Sequence, residues 1–387
     1  MKRRISVIAA IALLGLVTLI TGCGEFDTPL TSEEISADIN SDTVWTSSTR
    51  YIVQSTIDIG AELVIEPGTT IEFEVGTGLN VGSDGSLVAV GTEDEPITFT
   101  GTEAQAGWWN GIRFFNSDHP NNRLHYVIVE YAGNGYAANV VVGDSNRLRN
   151  GGVEIQHSII RHGEDRGLLV HDLSELRNST GNEYYDNDIP VQVAKRGMGQ
   201  LDGNSTYTGN ANDYIRVIRG NTGASISSDA TWEALDVPYR FDTNRSIDID
   251  GATVEIEAGA VMEFEATSSI KLETNSSVLI AEGTEDNQII FTGVEQIPGW
   301  WNGIWNQNSD NPLNSLNHVV IEYGGGSDSH PANLIVGDPN RLRNGSISVT
   351  NSVLRHSAGY GIYLYSDAGL TAANNEFSDN VEDDTNN

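Results

Sequence analysis

The chain writes one paragraph twice. The stretch Ile57–Gly101, IDIGAELVIEPGTTIEFEVGTGLNVGSDGSLVAVGTEDEPITFTG, returns at Ile247–Gly293 as IDIDGATVEIEAGAVMEFEATSSIKLETNSSVLIAEGTEDNQIIFTG. Its apolar runs, such as Leu63-Val64-Ile65 and Leu87-Val88-Ala89-Val90, are too short for helices and are bounded by Gly, Pro, Asp and Glu. Such runs read as strands closed by turns. A duplicated strand-and-turn unit must bury the same positions each time it is used, so the fold has to be built by repetition.

The duplication extends well beyond that paragraph. GWWNGI at Gly107–Ile112 recurs at Gly299–Ile304, and VGDSNRLRN at Val142–Asn150 recurs as VGDPNRLRN at Val336–Asn344. HSIIRH at His157–His162 is answered by NSVLRH at Asn351–His356. The second copy carries an insertion between Tyr323 and Asn333, the place where a surface loop tolerates one. Residues 194–227 belong to one copy only. No segment of the mature chain holds a 3.6-residue period for three turns, so little helix is expected. Strand runs recurring at this spacing admit a sandwich, a propeller or a solenoid. Asn and Gly at nearly every turn, few hairpin dipeptides and continuously apolar runs such as Val140-Val141-Val142 favour stacked parallel coils, each unable to bury its own apolar face alone.

With LVIEPGTTIEF, LVAVGTEDEPITFTG, WWNGI, VIVEY and IQHSIIRHGEDRGLLV in hand, the chain resembles the right-handed parallel β-helix proteins of the pectate-lyase-like superfamily, in the variant found in bacterial surface and secreted lipoproteins. The resemblance covers nearly all of residues 41–380 and occurs twice. It implies an all-β solenoid of two tandem units, and it implies no one activity, because that fold hosts lyases, hydrolases, epimerases and adhesins.

The N-terminus reads as an address. Lys2, Arg3 and Arg4 precede an apolar stretch that closes on Ile20-Thr21-Gly22-Cys23, an ending that resembles a bacterial lipobox. Cys23 is the chain's one cysteine, so it has no internal disulfide partner and is the expected lipid attachment site. Gly24 follows it where an inner-membrane retention signal would place Asp, which points to an outer-membrane lipid anchor on the periplasmic or extracellular face. The expected organisation is a signal peptide at 1–22, an acidic tether at 23–40, β-helix units at 41–193 and 228–387, and bridging coils at 194–227. A formal net charge of −33 argues against nucleic acid as a partner.

Candidate chemistry is sparse. Trp108, Trp109, Trp300 and Trp301, with Trp305 beyond, are candidate glycan platforms, since adjacent strand residues point to opposite faces and an exposed indole stacks on a sugar ring. Arg147 with Arg149, and Arg341 with Arg343, sit two apart and would share a face, as candidate anion-binding pairs. Arg161-His162 and Arg355-His356 read as satisfied ladder positions, because a chain with one active site need not write it twice. Lys195 and Lys271, the available lysine bases, stand beside no evident acid cluster in the sequence. No cofactor is expected; Ca²⁺ is the candidate metal, through Asp144 and Asp338 in turns rich in oxygen ligands. These readings favour a non-enzymatic binding and scaffold protein at the surface or in the periplasm, with a polysaccharide or a surface protein as partner. The alternatives are a carbohydrate-active enzyme of the polysaccharide lyase type and an adhesin for a protein partner.

Overall fold

The computed structural model describes residues 31–386, apart from 146–149, 221, 243–245, 328–329 and 339–344. Within them the chain is a right-handed parallel β-helix, the sense in which parallel crossovers turn. Strands of two to six residues pair in parallel with the strand one coil before and one coil after. The alternation read in the sequence fixes which side chains turn inward. Leu63 and Ile65 are buried and stack on Leu87 and Ala89, while Ile71 and Phe73 stack on Phe99 and Gly101. One apolar cluster runs from Ile39 to Ile362 through the inside of the coils. Aromatic rings stack along it, Phe73 on Trp109 at 3.9 Å and Phe264 on Trp301 at 4.1 Å between ring centres.

The coils start earlier than the sequence suggests. Thr31–Ile35, expected to lie in the tether, is a strand paired from Thr31↔Thr49 to Ile35↔Val53, and Ile39 bridges to Ile59. The leader, Cys23 and the remainder of the tether lie outside the described residues.

Among the described residues five sheets form the faces. In the first unit the chain visits in turn an opening sheet of seven strands, a long sheet of 13 strands and a flank sheet of six. Only the long sheet continues unbroken through the bridge, by way of the strands Ile189–Ala194, Ile215–Ile218 and Tyr239–Phe241. The opening sheet ends at Glu183–Tyr185. A new late sheet of five strands begins at Ser246–Ile249, and a second flank sheet of six begins at Ala230–Trp232. The short 3-10 helix Lys195–Gln200 packs between the two flank sheets, touching the strands Glu175–Leu176 and Ala230–Trp232.

This hand-over changes what the duplication means in space. The strand Thr70–Phe73 belongs to the opening sheet, but its counterpart Val261–Phe264 belongs to the long sheet. Gly111–Phe114, which follows the first GWWNGI, lies in the long sheet, whereas Ile304–Asn306, which follows the second, lies in the late sheet. The two copies are therefore advanced by one face relative to each other. Equivalent surface positions look out from different sheets.

Candidate functional site

The Trp-Trp-Asn-Gly turns prove to be part of the scaffold. Gly107 and Gly299 adopt positive φ, 72° and 82°, which swings each dipeptide into the corner. Trp109 and Trp301 point inward and are fully buried, their Nε1 atoms donating to the carbonyls of Glu130 and Glu322 at 2.8 Å. Neither is available to stack on a ligand. Trp108 is half-buried against the core, its Nε1 donating to Phe73 O at 3.1 Å and Thr102 Oγ1 at 2.9 Å. Trp300 takes the same place in the second copy, but its Nε1 is buried with no acceptor among the described residues. Buried indoles in apolar surroundings are what these turns need to close, and that need explains their recurrence.

The Arg-His pairs are also structural in both copies. Arg161 binds Glu130 at 2.8 Å and donates to the Tyr185 hydroxyl, and Arg355 binds Glu322 at 2.7 Å. His162 and His356 occupy left-handed turn positions, φ 52° and 53°, and stack on Tyr131 and Tyr323. The pairs Arg147/Arg149 and Arg341/Arg343 lie outside the described residues. Asp144 and Asp338 are buried: Asp144 forms an ion pair with Arg113 at 2.9 Å, and Asp338 accepts from Gln307 Nε2 at 2.7 Å. Lys195 does have an acid beside it, contrary to the sequence reading. Its buried Nζ reaches Asp248 Oδ2 at 3.5 Å and Ser246 O at 3.3 Å, fastening the bridge to the first strand of the late sheet.

Trp305 is the one candidate indole standing in an outward row. Strand pairing aligns Asp248, Lys271, Trp305, Ile335 and Tyr363 on the outward side of the late sheet, where Ile335 between the two rings is itself covered, 2% exposed. Trp305 donates from Nε1 to Gly337 O at 2.9 Å, and Lys271 Nζ lies 5.5 Å from its ring centre. Around Tyr363 gather His330 at 4.7 Å, Tyr365 at 5.3 Å and Tyr360 at 5.8 Å between ring centres. The Tyr365 hydroxyl is hydrogen-bonded to the His330 ring at 2.9 Å. Burial pushes its pKa up to about 12, with Tyr363 and Asp338 adding to the rise, so it stays a protonated phenol. Apart from Trp305, none of these rings stands out in the sequence as a candidate. The available signal was Tyr360, Tyr363 and Tyr365 in YGIYLY, where residues two apart share a face.

The same row in the first unit has a cation where the late sheet has its indole. Register places Asp58, Asn80, Arg113, Val141 and Leu169 across the long sheet at the equivalent positions. There Arg113 replaces Trp305 and Leu169 replaces Tyr363, while Arg166, His171 and Tyr136 stand for Tyr360, Tyr365 and His330. The Arg113 guanidinium sits 4.4 Å from the Phe115 ring centre and 5.4 Å from that of Tyr136, whose hydroxyl donates to Asn80 Oδ1 at 2.8 Å. Arg166 donates to Gln192 Oε1 at 2.8 Å. Burial holds the His171 imidazole below its ordinary value. Arg113 and Arg166 deepen that depression and Asp144 opposes it, which leaves a neutral ring at pH 7.

No protein-family model and no curated protein matches the chain. Among solved structures it is similar to the crystal structure of alginate lyase from Paenibacillus sp. str. FPU-7, with 15% identity over 83% of this chain and 93% of that one and a TM-score of 0.24. A likeness this distant does not bear on activity.

Proposed function

We propose that this protein is a carbohydrate-binding β-helix that holds a glycan against the aromatic row of the late sheet. The observation that carries this reading is the row Trp305–Ile335–Tyr363 with His330, Tyr360 and Tyr365 around it. Aromatic faces stack on the apolar faces of sugar rings, and phenol and imidazole edges satisfy hydroxyls. Neighbouring strands lie about 4.8 Å apart, so Trp305 and Tyr363, two coils apart, present platforms about 10 Å apart along a glycan chain. Fixed platforms on rigid strands bind at low entropic cost. The leader and Cys23 suit a lipid-anchored form of such a protein, facing its glycan from the outer membrane.

The test is a glycan array probed with the wild-type chain and a Trp305→Ala, Tyr363→Ala double variant of unchanged thermal stability. Binding present in the first and lost in the second supports the reading. Equal binding by both refutes it.

A second reading rests on the first unit. A neutral His171 near Arg113 and Arg166 would supply an elimination site on a uronate polymer with an imidazole base for the proton α to the carboxylate, and the substrate carboxylate would have to displace Asp144 or Asp165 from its guanidinium to be neutralised there. It calls for ultraviolet-absorbing unsaturated products from alginate or pectate, abolished in His171→Ala. A flat baseline with wild-type protein leaves the binding reading alone.

A further inference from the structure

Where the bridge hands one face over to another, the coils leave a cleft of about 520 Å³. One wall is the turn His171–Ser174, the floor is the start of the 3-10 helix at Lys195 and Arg196, and the opposite wall is Ile226–Thr231. The second copy has no counterpart to the bridge that forms it. Two features of the His171–Ser174 turn are unexplained by folding. Asp172 is only 8% exposed, and its Oδ2 accepts from the backbone and hydroxyl of Thr222, yet its Oδ1 is buried with no hydrogen-bond partner among the described residues. An unpaired buried carboxylate oxygen is a costly thing to keep. Beside it Leu173 holds φ at +67°, a left-handed conformation that disfavours a bulky side chain, and still leaves 39% of its surface exposed. The residue at the equivalent turn of the second copy is Asp367. Strain kept at an exposed apolar side chain next to an unsatisfied acceptor is the pattern of a ligand contact.

We propose that this cleft is a second binding site, independent of the aromatic row, for an uncharged hydroxyl-rich ligand: a short neutral glycan or polyol. Asp172 Oδ1, closed to solvent in this structure, is uncovered as the strained turn at Leu173 shifts and then takes a hydroxyl donor from the ligand, while Leu173 packs on the apolar side of its ring. The charges around the cleft decide the class. Asp172, Glu175 and Asp229 repel a carboxylate, Lys195 is already matched by Asp248, and Arg196 opposes a free cation.

The test uses the full chain carrying Trp305→Ala and Tyr363→Ala, so that binding by the aromatic row is removed and its failure is seen separately. Isothermal titration is run with cellobiose, maltose and lactose, with digalacturonate and Ca²⁺ as the charged controls. A neutral disaccharide is expected to bind, and both Asp172→Asn and Leu173→Gly to weaken it by about tenfold or more, as loss of one central contact does. Leu173→Gly is also expected to unfold at the same or a higher temperature, because glycine accepts the left-handed φ without strain. That combination, weaker binding without lost stability, separates a ligand contact from a structural role. Binding unchanged by Leu173→Gly overturns the proposal. So does binding confined to digalacturonate or Ca²⁺, or no binding by any of the three disaccharides.

Discussion

The duplication supplies its own control for the worth of a single buried hydrogen bond. Trp108 and Trp300 occupy the same corner. Gly101 and Gly293 leave room for them, a Cβ at either position standing 2.8 Å and 3.1 Å from the respective indole Cδ1. The backbone is also matched, Thr102 N and Val294 N donating to Phe73 O and Phe264 O at 2.9 Å. The difference is that Thr102 offers Trp108 Nε1 a hydroxyl at 2.9 Å where Val294 offers Trp300 Nε1 a methyl. A buried donor left unpaired costs about 1–3 kcal/mol, and Thr brings a hydroxyl that must itself be desolvated. Val294→Thr should therefore stabilise the chain by about 1 kcal/mol. Thr102→Val should destabilise it by less than the full penalty, because Phe73 O remains as acceptor at 3.1 Å. Unfolding entropy scales with length, so the shift in Tm is small, about 1 °C per kcal/mol for a cooperative unit of this size. Denaturant midpoints, followed by tryptophan emission, are the better assay. If Val294→Thr leaves the midpoint unchanged or lowers it while the slope is preserved, Trp300 Nε1 is not an energetic defect, and the inference from the first copy to the second is wrong.

Two further outcomes follow from buried groups and close approaches. Burial lowers the pKa of both His125 and His171 from the ordinary value of 6.5. The unfolded chain then binds more protons than the folded one between the folded values and 6.5, so stability falls as pH drops through that window; a His125→Gln, His171→Gln variant should show a flatter acid limb in a denaturation series from pH 7 to 5. A Cβ on Gly85 would stand 1.9 Å from the Ile59 carbonyl oxygen, so Gly85→Ala should cost about 3 kcal/mol or more, whereas Gly76→Ala, with φ 71° and nothing within 4 Å, should cost about 1 kcal/mol; thermal unfolding of the two variants checks the order.

Much of the fold was legible because core positions are written in the chain itself. The inward Leu63, Ile65, Ile71 and Phe73 alternate with outward residues and recur one coil later, and parallel stacking follows from that recurrence. The turn at residues 82–85 shows how far this goes: its counterpart 273–277 is one residue longer and sets Ser277 Oγ on Ile249 O at 2.8 Å, where Gly85 must have no side chain. The candidate site was far less legible, for a physical reason. A tryptophan in a turn looks the same in sequence whether its ring faces the core or the solvent, and φ near +72° at Gly107 decides the matter for Trp109. Arg113, Trp305 and Tyr363 are scattered singly along the chain and become a row only through strand pairing, which no local pattern records.

The one-face advance between the copies gives that row its significance. Had the units stacked in phase, Arg113 and Trp305 would lie on one sheet, as parts of one extended surface binding one ligand. Instead the long sheet carries Arg113 and, farther on, Arg216 and Arg240, while Trp305 stands on the late sheet. A change in the outward residues of one copy then leaves the other copy's surface untouched, and the inward residues, shared in type by both, are held fixed by packing. An arginine in one copy and a tryptophan in the other at one register position is the expected result of such a separation. The bridge that produces it also builds the cleft at Asp172 and Leu173. The unrepeated residues are therefore where a duplicated scaffold acquires surfaces that neither copy has alone.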